Sequence, residues 1–227
     1  MARPLRSLIL LLLSTVTPAF AVAGPAAERR LTFTVFAAEP MGPLVYTPKP
    51  GAKPVPLVLY PTAQSPRYFQ QGSGTVILRN QATGAVVAEV AVPVAIRRAL
   101  LILLPDPGPL APFPCRVWVI DDGSARDTSG MLRLLNLSGL RLAGTINRRP
   151  VVISQDQMEQ YAAGSVAAVA LRTEFKGRSY QAYAEIIPLG IDRRVLLLLL
   201  PPYHSGALQV QSRVLREVAD AGSKRGE

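Results

Sequence analysis

Two uninterrupted apolar runs dominate the hydrophobic pattern of the chain. Ala99–Leu104 and Val195–Leu200 each follow a pair of arginines, Arg97-Arg98 and Arg193-Arg194, and each is closed by a proline, Pro105 and Pro201. Six residues fall far short of the roughly 20 a helix needs to cross a bilayer. A short apolar run that ends at proline reads as a buried strand. Elsewhere the pattern alternates with period two. In the first half it predicts strands over Leu31–Ala37, Leu57–Tyr60, Thr75–Arg79, Ala85–Val92 and Cys115–Ile120. In the second half it predicts Met131–Leu135, Arg141–Gly144, Val151–Ser154, Ser165–Glu174, Tyr180–Ile187 and Leu208–Leu215. One stretch reads differently. Ser154 with Gln157 resembles a capping box, Asp156 and Glu159 suit a first helical turn, and Gly164 suits a stop, which predicts a short helix.

The two halves are copies of one unit. Arg97-Arg98 through Pro105 matches Arg193-Arg194 through Pro201 at an offset of 96, as Lys53-Pro54-Val55 matches Arg149-Pro150-Val151 and Ala88-Glu89 matches Ala184-Glu185. At offsets of 92 to 93, Gly72-Ser73 matches Gly164-Ser165, Leu78-Arg79 matches Leu171-Arg172, and Gly84 matches Gly177. Leucine-rich composition explains the apolar runs but not the glycine and proline positions. The expected fold is therefore all-β: two tandem antiparallel, immunoglobulin-like β-sandwich domains, residues 29–122 and 130–218, each of six or seven short strands. The Asp-, Gly- and Ser-rich stretch 121–129 joins them, and the small polar tail 219–227 is expected to be disordered.

The first 23 residues read as a signal peptide. Arg3 and Arg6 form a positive n-region, Leu8–Leu13 an apolar core, and Ala19-Phe20-Ala21 and Ala21-Val22-Ala23 each fit the cleavage pattern. Export to the periplasm or beyond follows as the expected localisation, with no membrane span left after cleavage. An apolar fraction of 49% and a mean hydropathy of +0.24 exclude a disordered chain. The single cysteine, Cys115, excludes a disulfide scaffold. With no second cysteine Cys115 is a buried thiol or an intermolecular bridge, and alternation puts it on the face of Val117 and Val119, which favours the thiol.

The order Val117-Trp118-Val119-Ile120-Asp121-Asp122, then Leu132–Leu135 running into Asn136-Leu137-Ser138-Gly139, then the closing strand Leu196–Leu200, resembles exported bacterial double β-sandwich proteins of unknown function. That resemblance covers most of the chain after the leader. It implies no catalytic residue and no cofactor.

Candidate chemistry is thin. His204 is the single histidine and lies in the turn-like Pro201-Pro202-Tyr203-His204-Ser205-Gly206, where Ser205 is no triad partner by adjacency alone. His204 and Cys115 are too few for a metal site of the usual three or four ligands. The acidic loop Asp121-Asp122-Gly123-Ser124-Ala125-Arg126-Asp127 offers oxygen ligands for calcium, but it carries Arg126 and lacks a calcium-loop spacing. Glu89 and Glu185 fall at equivalent repeat positions, which argues for structural roles over a glycosidase pair. Asn136-Leu137-Ser138 fits a glycosylation sequon or a strand cap. No catalytic, cofactor-binding or metal residue is assigned, and no cofactor is expected.

Charge adds one feature. The net charge is +10, and basicity concentrates in the second half: residues 123–218 hold 12 basic and 7 acidic side chains, against 7 and 5 in residues 31–122. Arg141, Arg148, Arg149, Arg172, Lys176 and Arg178 suit weak binding to an anionic surface. Aromatic residues are not expected among them, so no stacking platform for specific nucleic-acid binding is expected. The expected function is a non-catalytic binding or assembly module. The alternatives are a secreted hydrolase with a carboxylate site and a basic polyanion binder. The two leucine runs do not alternate, so their outer faces need cover. That cover is the other repeat, a proline-rich loop such as Pro105–Pro114, or another molecule. The expected one is an interface between the repeats or with a protein partner, including a second copy in a homodimer.

Overall fold

The computed structural model describes residues 29–72, 74–105, 111, 113–123, 130–190 and 193–218. The expected leader, the tail and residues 124–129 of the connection lie outside the described residues. Among the described residues no helix occurs, and so none is long and apolar enough to cross a membrane.

The first repeat holds eight strands: β1 (Arg29–Ala37), β2 (Leu44–Tyr46), β3 (Val55–Pro56), β4 (Tyr68–Gly72), β5 (Thr75–Asn80), β6 (Val86–Ala91), β7 (Arg98–Pro105) and β8 (Cys115–Asp121). The second holds β9 (Met131–Asn136), β10 (Leu142–Ile146), β11 (Arg149–Ile153), β12 (Gln157–Ala162), β13 (Val166–Phe175), β14 (Arg178–Pro188), β15 (Arg193–Leu200) and β16 (Gln211–Val218). The sheet orders are β4-β1-β7-β8 (sheet I) and β3-β2-β5-β6 (sheet II), then β12-β9-β15-β16 (sheet III) and β11-β10-β13-β14 (sheet IV). Adding eight to each strand number of the first repeat gives the second, so the duplication holds at the level of topology.

Each repeat is a two-sheet sandwich, antiparallel except for one central parallel pair, β1 with β7 and β9 with β15. The apolar runs are these central strands. A strand covered on both faces has no reason to alternate. The duplication extends to irregularities. Both repeats carry a register shift at the same Leu-Arg pair, Leu78/Arg79 and Leu171/Arg172. The extra residue opposite is Val87 in one and Ala182 in the other, an offset of 95, and it turns two successive side chains inward. That register makes Val90 the counterpart of Glu185, so Glu89 and Glu185 are not equivalent.

Three other expectations are corrected. Leu57–Tyr60 is not a strand: Leu57 N–H makes a last bond to the Leu44 carbonyl at 2.8 Å, and Val58 N–H donates instead to the Tyr68 hydroxyl at 2.7 Å. The last strand starts at Gln211 instead of Leu208. The expected helix after Ser154 is the edge strand β12. Half of the capping box forms, because Ser154 N–H donates to Gln157 Oε1 at 2.9 Å. Asp156 however takes a left-handed φ of 61°, which turns the chain into a strand paired along β9.

The leucine runs define the layering. Leu101 and Leu103 face the core between sheets I and II, while Leu197 and Leu199 face the core between sheets III and IV. The other parity forms a third core. Phe36, Leu100, Ile102, Leu104 and Ile120 from sheet I pack into one buried cluster with Leu135, Leu196, Leu198, Leu200 and Leu215 from sheet III and with Leu137, which follows β9. The molecule is thus four layers, II-I-III-IV. Both repeats place equivalent positions at this junction, as the two halves of a two-fold dimer do. Covering the outer leucines within the chain removes them as a surface for a partner or a second copy.

Candidate functional site

Strand directions put β7, β9, β13 and β15 with their C-terminal ends at one end of the molecule. Register makes this plain in the second repeat: Leu199 lies beside Asn136, and Ala143, early in β10, lies opposite Arg172, late in β13. At that end the junction opens into a cleft of about 630 Å³ drawing on both repeats. Glu39 and Pro40 follow β1, Arg116 is on β8, Tyr203 follows β15, and Gln211 and Arg213 open β16. A smaller cavity of about 270 Å³ shares Glu39, Pro40 and Arg213 and reaches Leu59 and Tyr60. Prolines 40, 105, 201 and 202 shape the walls, because they end strands without offering donors.

The polar groups here are held in place by the fold. Gln211 Nε2 donates to the carbonyl of Pro201 at 2.8 Å, and Arg213 donates to the carbonyl of Ser212 at 2.8 Å. Arg116 reaches across the junction to Asp156 at 3.7 Å. Tyr203 is 72% exposed and offers a ring to a ligand. A carboxylate, two guanidiniums and two exposed tyrosines over an apolar floor can bind by hydrogen bonding and stacking. They do not include a nucleophile with an adjacent base.

At the opposite end the junction is held by charge. Asp122 is buried, 3.4 Å from Arg194 and 3.9 Å from Arg98. Arg194 also donates to the carbonyl of Asp122 at 2.8 Å, and Arg133 to that of Asp121 at 3.3 Å. Asp121 Oδ1 accepts from the Gly123 amide in a local turn. The first acidic residues of the loop 121–127 are therefore tied to arginines of both repeats, and Asp127 lies outside the described residues. Among the described residues, no group of three or more His, Cys, Asp or Glu side chains converges.

The remaining candidates separate. His204 is exposed in its turn beside Tyr203, with its carbonyl accepting from Ala207. Cys115 is buried in the first core. Glu89 and Glu185 lie in the outermost sheets, with two sheets at about 10 Å spacing between them, too far to share one glycosidic bond. Glu185 accepts from the Tyr183 hydroxyl at 2.7 Å, and Glu159 from the Tyr161 hydroxyl at 2.7 Å. Burial, followed by these carboxylates, pushes both tyrosines well above their ordinary value. Asn136 of the sequon is fully buried: its amide donates to the carbonyls of Leu140, Ile153 and Ser154, and its oxygen accepts from Ser138. It is a strand cap, closed to glycosylation in the folded chain.

The basic residues divide in two. Arg148 sits in the β10–β11 turn, where Asn147 and Arg148 both have positive φ, and Arg149 starts β11. Arg141, Arg172, Lys176 and Arg178 gather at the cleft end, with Phe175 and Tyr180 among them. The expected absence of interleaved aromatics is therefore wrong. The TEFKGRSY segment displays the signal once it is folded into a hairpin. No protein-family model and no curated protein matches the chain.

Proposed function

We propose that the chain is a non-catalytic, exported binding module that engages a partner at the junction cleft, in the periplasm or outside the cell. The observation that supports this best is the third core: it fixes the two sandwiches against each other, so the loops of both repeats present one preorganised surface. Export rests on the charged and apolar pattern of the leader, and the family resemblance agrees with it. The hydrolase alternative draws less support, because the candidate carboxylates are dispersed or bonded to tyrosines.

The test is capture from the native envelope extract by the whole exported chain, compared with a Tyr203→Ala/Arg213→Glu variant. A partner retained by the wild type and lost by the folded variant supports the reading. Equal retention by both, or hydrolysis of envelope glycans by the wild type, overturns it.

A further inference from the structure

The hairpin formed by β13 and β14 differs from its counterpart in the first repeat. β5 and β6 run six residues each, and their turn, Asn80–Ala85, carries no charge. The strands of the second hairpin run ten and eleven residues and pair as far as Phe175 with Arg178. The turn is Lys176-Gly177, both at positive φ, a two-residue connection of the primed type. Thr173 is the last buried residue of β13, so the hairpin overshoots the core by its final pairs.

The overshoot exposes an unusual combination. Phe175 is 50% exposed and Tyr180 38% exposed, both on the strand face that would point inward if a core lay beneath them. The Lys176 ammonium lies 5.3 Å from the Phe175 ring centroid, and Arg178 stands opposite on the other strand. The Arg172 guanidinium is fixed along the hairpin by bonds to Ser179 Oγ at 2.7 Å and Ser179 O at 3.0 Å. Arg141 lies at the base. Four cations face one acid in this region, Glu174.

We propose that this hairpin tip is a docking element for an anionic lipid surface. A benzyl ring at the far end of a rigid hairpin enters the headgroup boundary, while cations around it meet phosphates, the arrangement by which amphipathic elements bind charged bilayers. Tyr180, with an apolar ring and a polar tip, suits the same boundary. A single ring at a tip fits a layer better than a strand of nucleic acid or polysaccharide, which calls for successive stacking platforms. This surface is separate from the junction cleft and does not depend on it. Both open at the same end, so a chain seated by the hairpin holds the cleft close to the membrane.

The experiment uses the whole exported chain and vesicles of phosphatidylglycerol mixed with phosphatidylcholine, read by co-sedimentation. Binding is expected on these vesicles and at least about tenfold weaker on phosphatidylcholine alone. Lys176→Glu/Arg178→Glu is expected to lose at least about tenfold, whereas Arg148→Glu/Arg149→Glu, the same charge change at the opposite end, stays within about twofold. In Phe175→Trp, emission shifts to the blue on vesicles as the new ring leaves water. Circular dichroism checks that each variant is folded. Equal losses in the two double variants, equal binding to the neutral vesicles, or no shift at position 175 overturn the proposal. Full competition by heparin or single-stranded DNA, with Phe175→Ala indistinguishable from wild type, overturns it in favour of polyanion binding.

Discussion

The two repeats share one topology, yet they agree closely in one region and diverge in others. At the junction five pairs of equivalent positions are apolar in both repeats: Phe36 with Leu135, Leu100 with Leu196, Ile102 with Leu198, Leu104 with Leu200, Ile120 with Leu215, whereas Trp118 beside Ile102 has Arg213 as its counterpart. Inside the sandwiches Leu44, Val76, Leu78, Leu101 and Leu103 recur as Leu142, Val169, Leu171, Leu197 and Leu199, while one cluster differs. The first core contains a ring cluster in which Phe33 meets Tyr46 edge-on at 5.1 Å, and Tyr68 lies 5.8 Å from Phe33 and 5.4 Å from Tyr46. The pairing registers put Leu132, Gly144 and Tyr161 at those positions in the second. At Gly144 the neighbouring strand of the same sheet leaves no room for a side chain: a Cβ there would collide with the Ala170 carbonyl oxygen and crowd Leu171 Cα. The ring cluster is a change that one sandwich accommodates within its own interior, whereas a change at the junction must satisfy both halves.

The comparison breaks most severely at the junction itself. Leu198 is fully buried there, and its counterpart Ile102 is equally buried. Leu198→Ala and Ile102→Ala are each expected to cost about 2–5 kcal/mol in chemical denaturation. Similar losses at the two sites support a symmetric junction. A loss at one alone shows that a single repeat carries the contact.

A smaller effect is expected at the charged end. The first repeat supplies Asp122, and both repeats supply an arginine to it, Arg98 and Arg194. Removing the carboxylate leaves buried guanidinium charge without its counterion, so Asp122→Ala is expected to cost about 3 kcal/mol. The double variant Asp122→Ala/Arg194→Met is expected to recover part of this, since a charge left alone costs more than a pair removed. An additive double variant would show that the two side chains do not act on each other.

Much of the fold was legible because it rests on local pattern. The proline-bounded leucine runs announced buried strands, and the repeat offset announced the duplication, whereas the shared bulge at Leu78-Arg79 and Leu171-Arg172 shows only in the paired strands. What escaped depends on context outside any window. The strands β2 and β3 hold three residues and two, too short for a period to show. The Ser154–Gln157 signal was a real hydrogen bond in a turn, and only pairing with β9 decided for strand. The cleft is built from Glu39, Arg116, Tyr203 and Arg213, which are scattered over 175 positions and carry no spacing that marks a site. Asn136 shows the reverse case: its sequon was visible, and its burial decided against it.

The finest difference between the repeats is a titration. Tyr183 is buried beside the Glu185 carboxylate, and the bulge register puts Ala88 at its place in the first repeat. Burial foremost, and the carboxylate next, raise the Tyr183 hydroxyl above its ordinary value near 10. A group whose pKa is raised by folding contributes stability that is complete below the unfolded value and is lost as pH climbs towards the folded one. Stability should therefore hold up to about pH 10 and decline beyond it, by up to about 1.4 kcal/mol per pH unit for each such tyrosine. Denaturation midpoints measured from pH 8 upwards should follow that course in the wild type. Tyr183→Phe loses a hydrogen bond at neutral pH, worth about 1 kcal/mol, but its midpoint should then fall less steeply above pH 10. Tyr161 and Tyr46, whose hydroxyls are also raised by burial, leave part of the slope in place. An unchanged slope in Tyr183→Phe would mean that the hydroxyl ionises as freely in the folded chain as in the unfolded one, and the Tyr183–Glu185 contact would then have no part in alkaline stability.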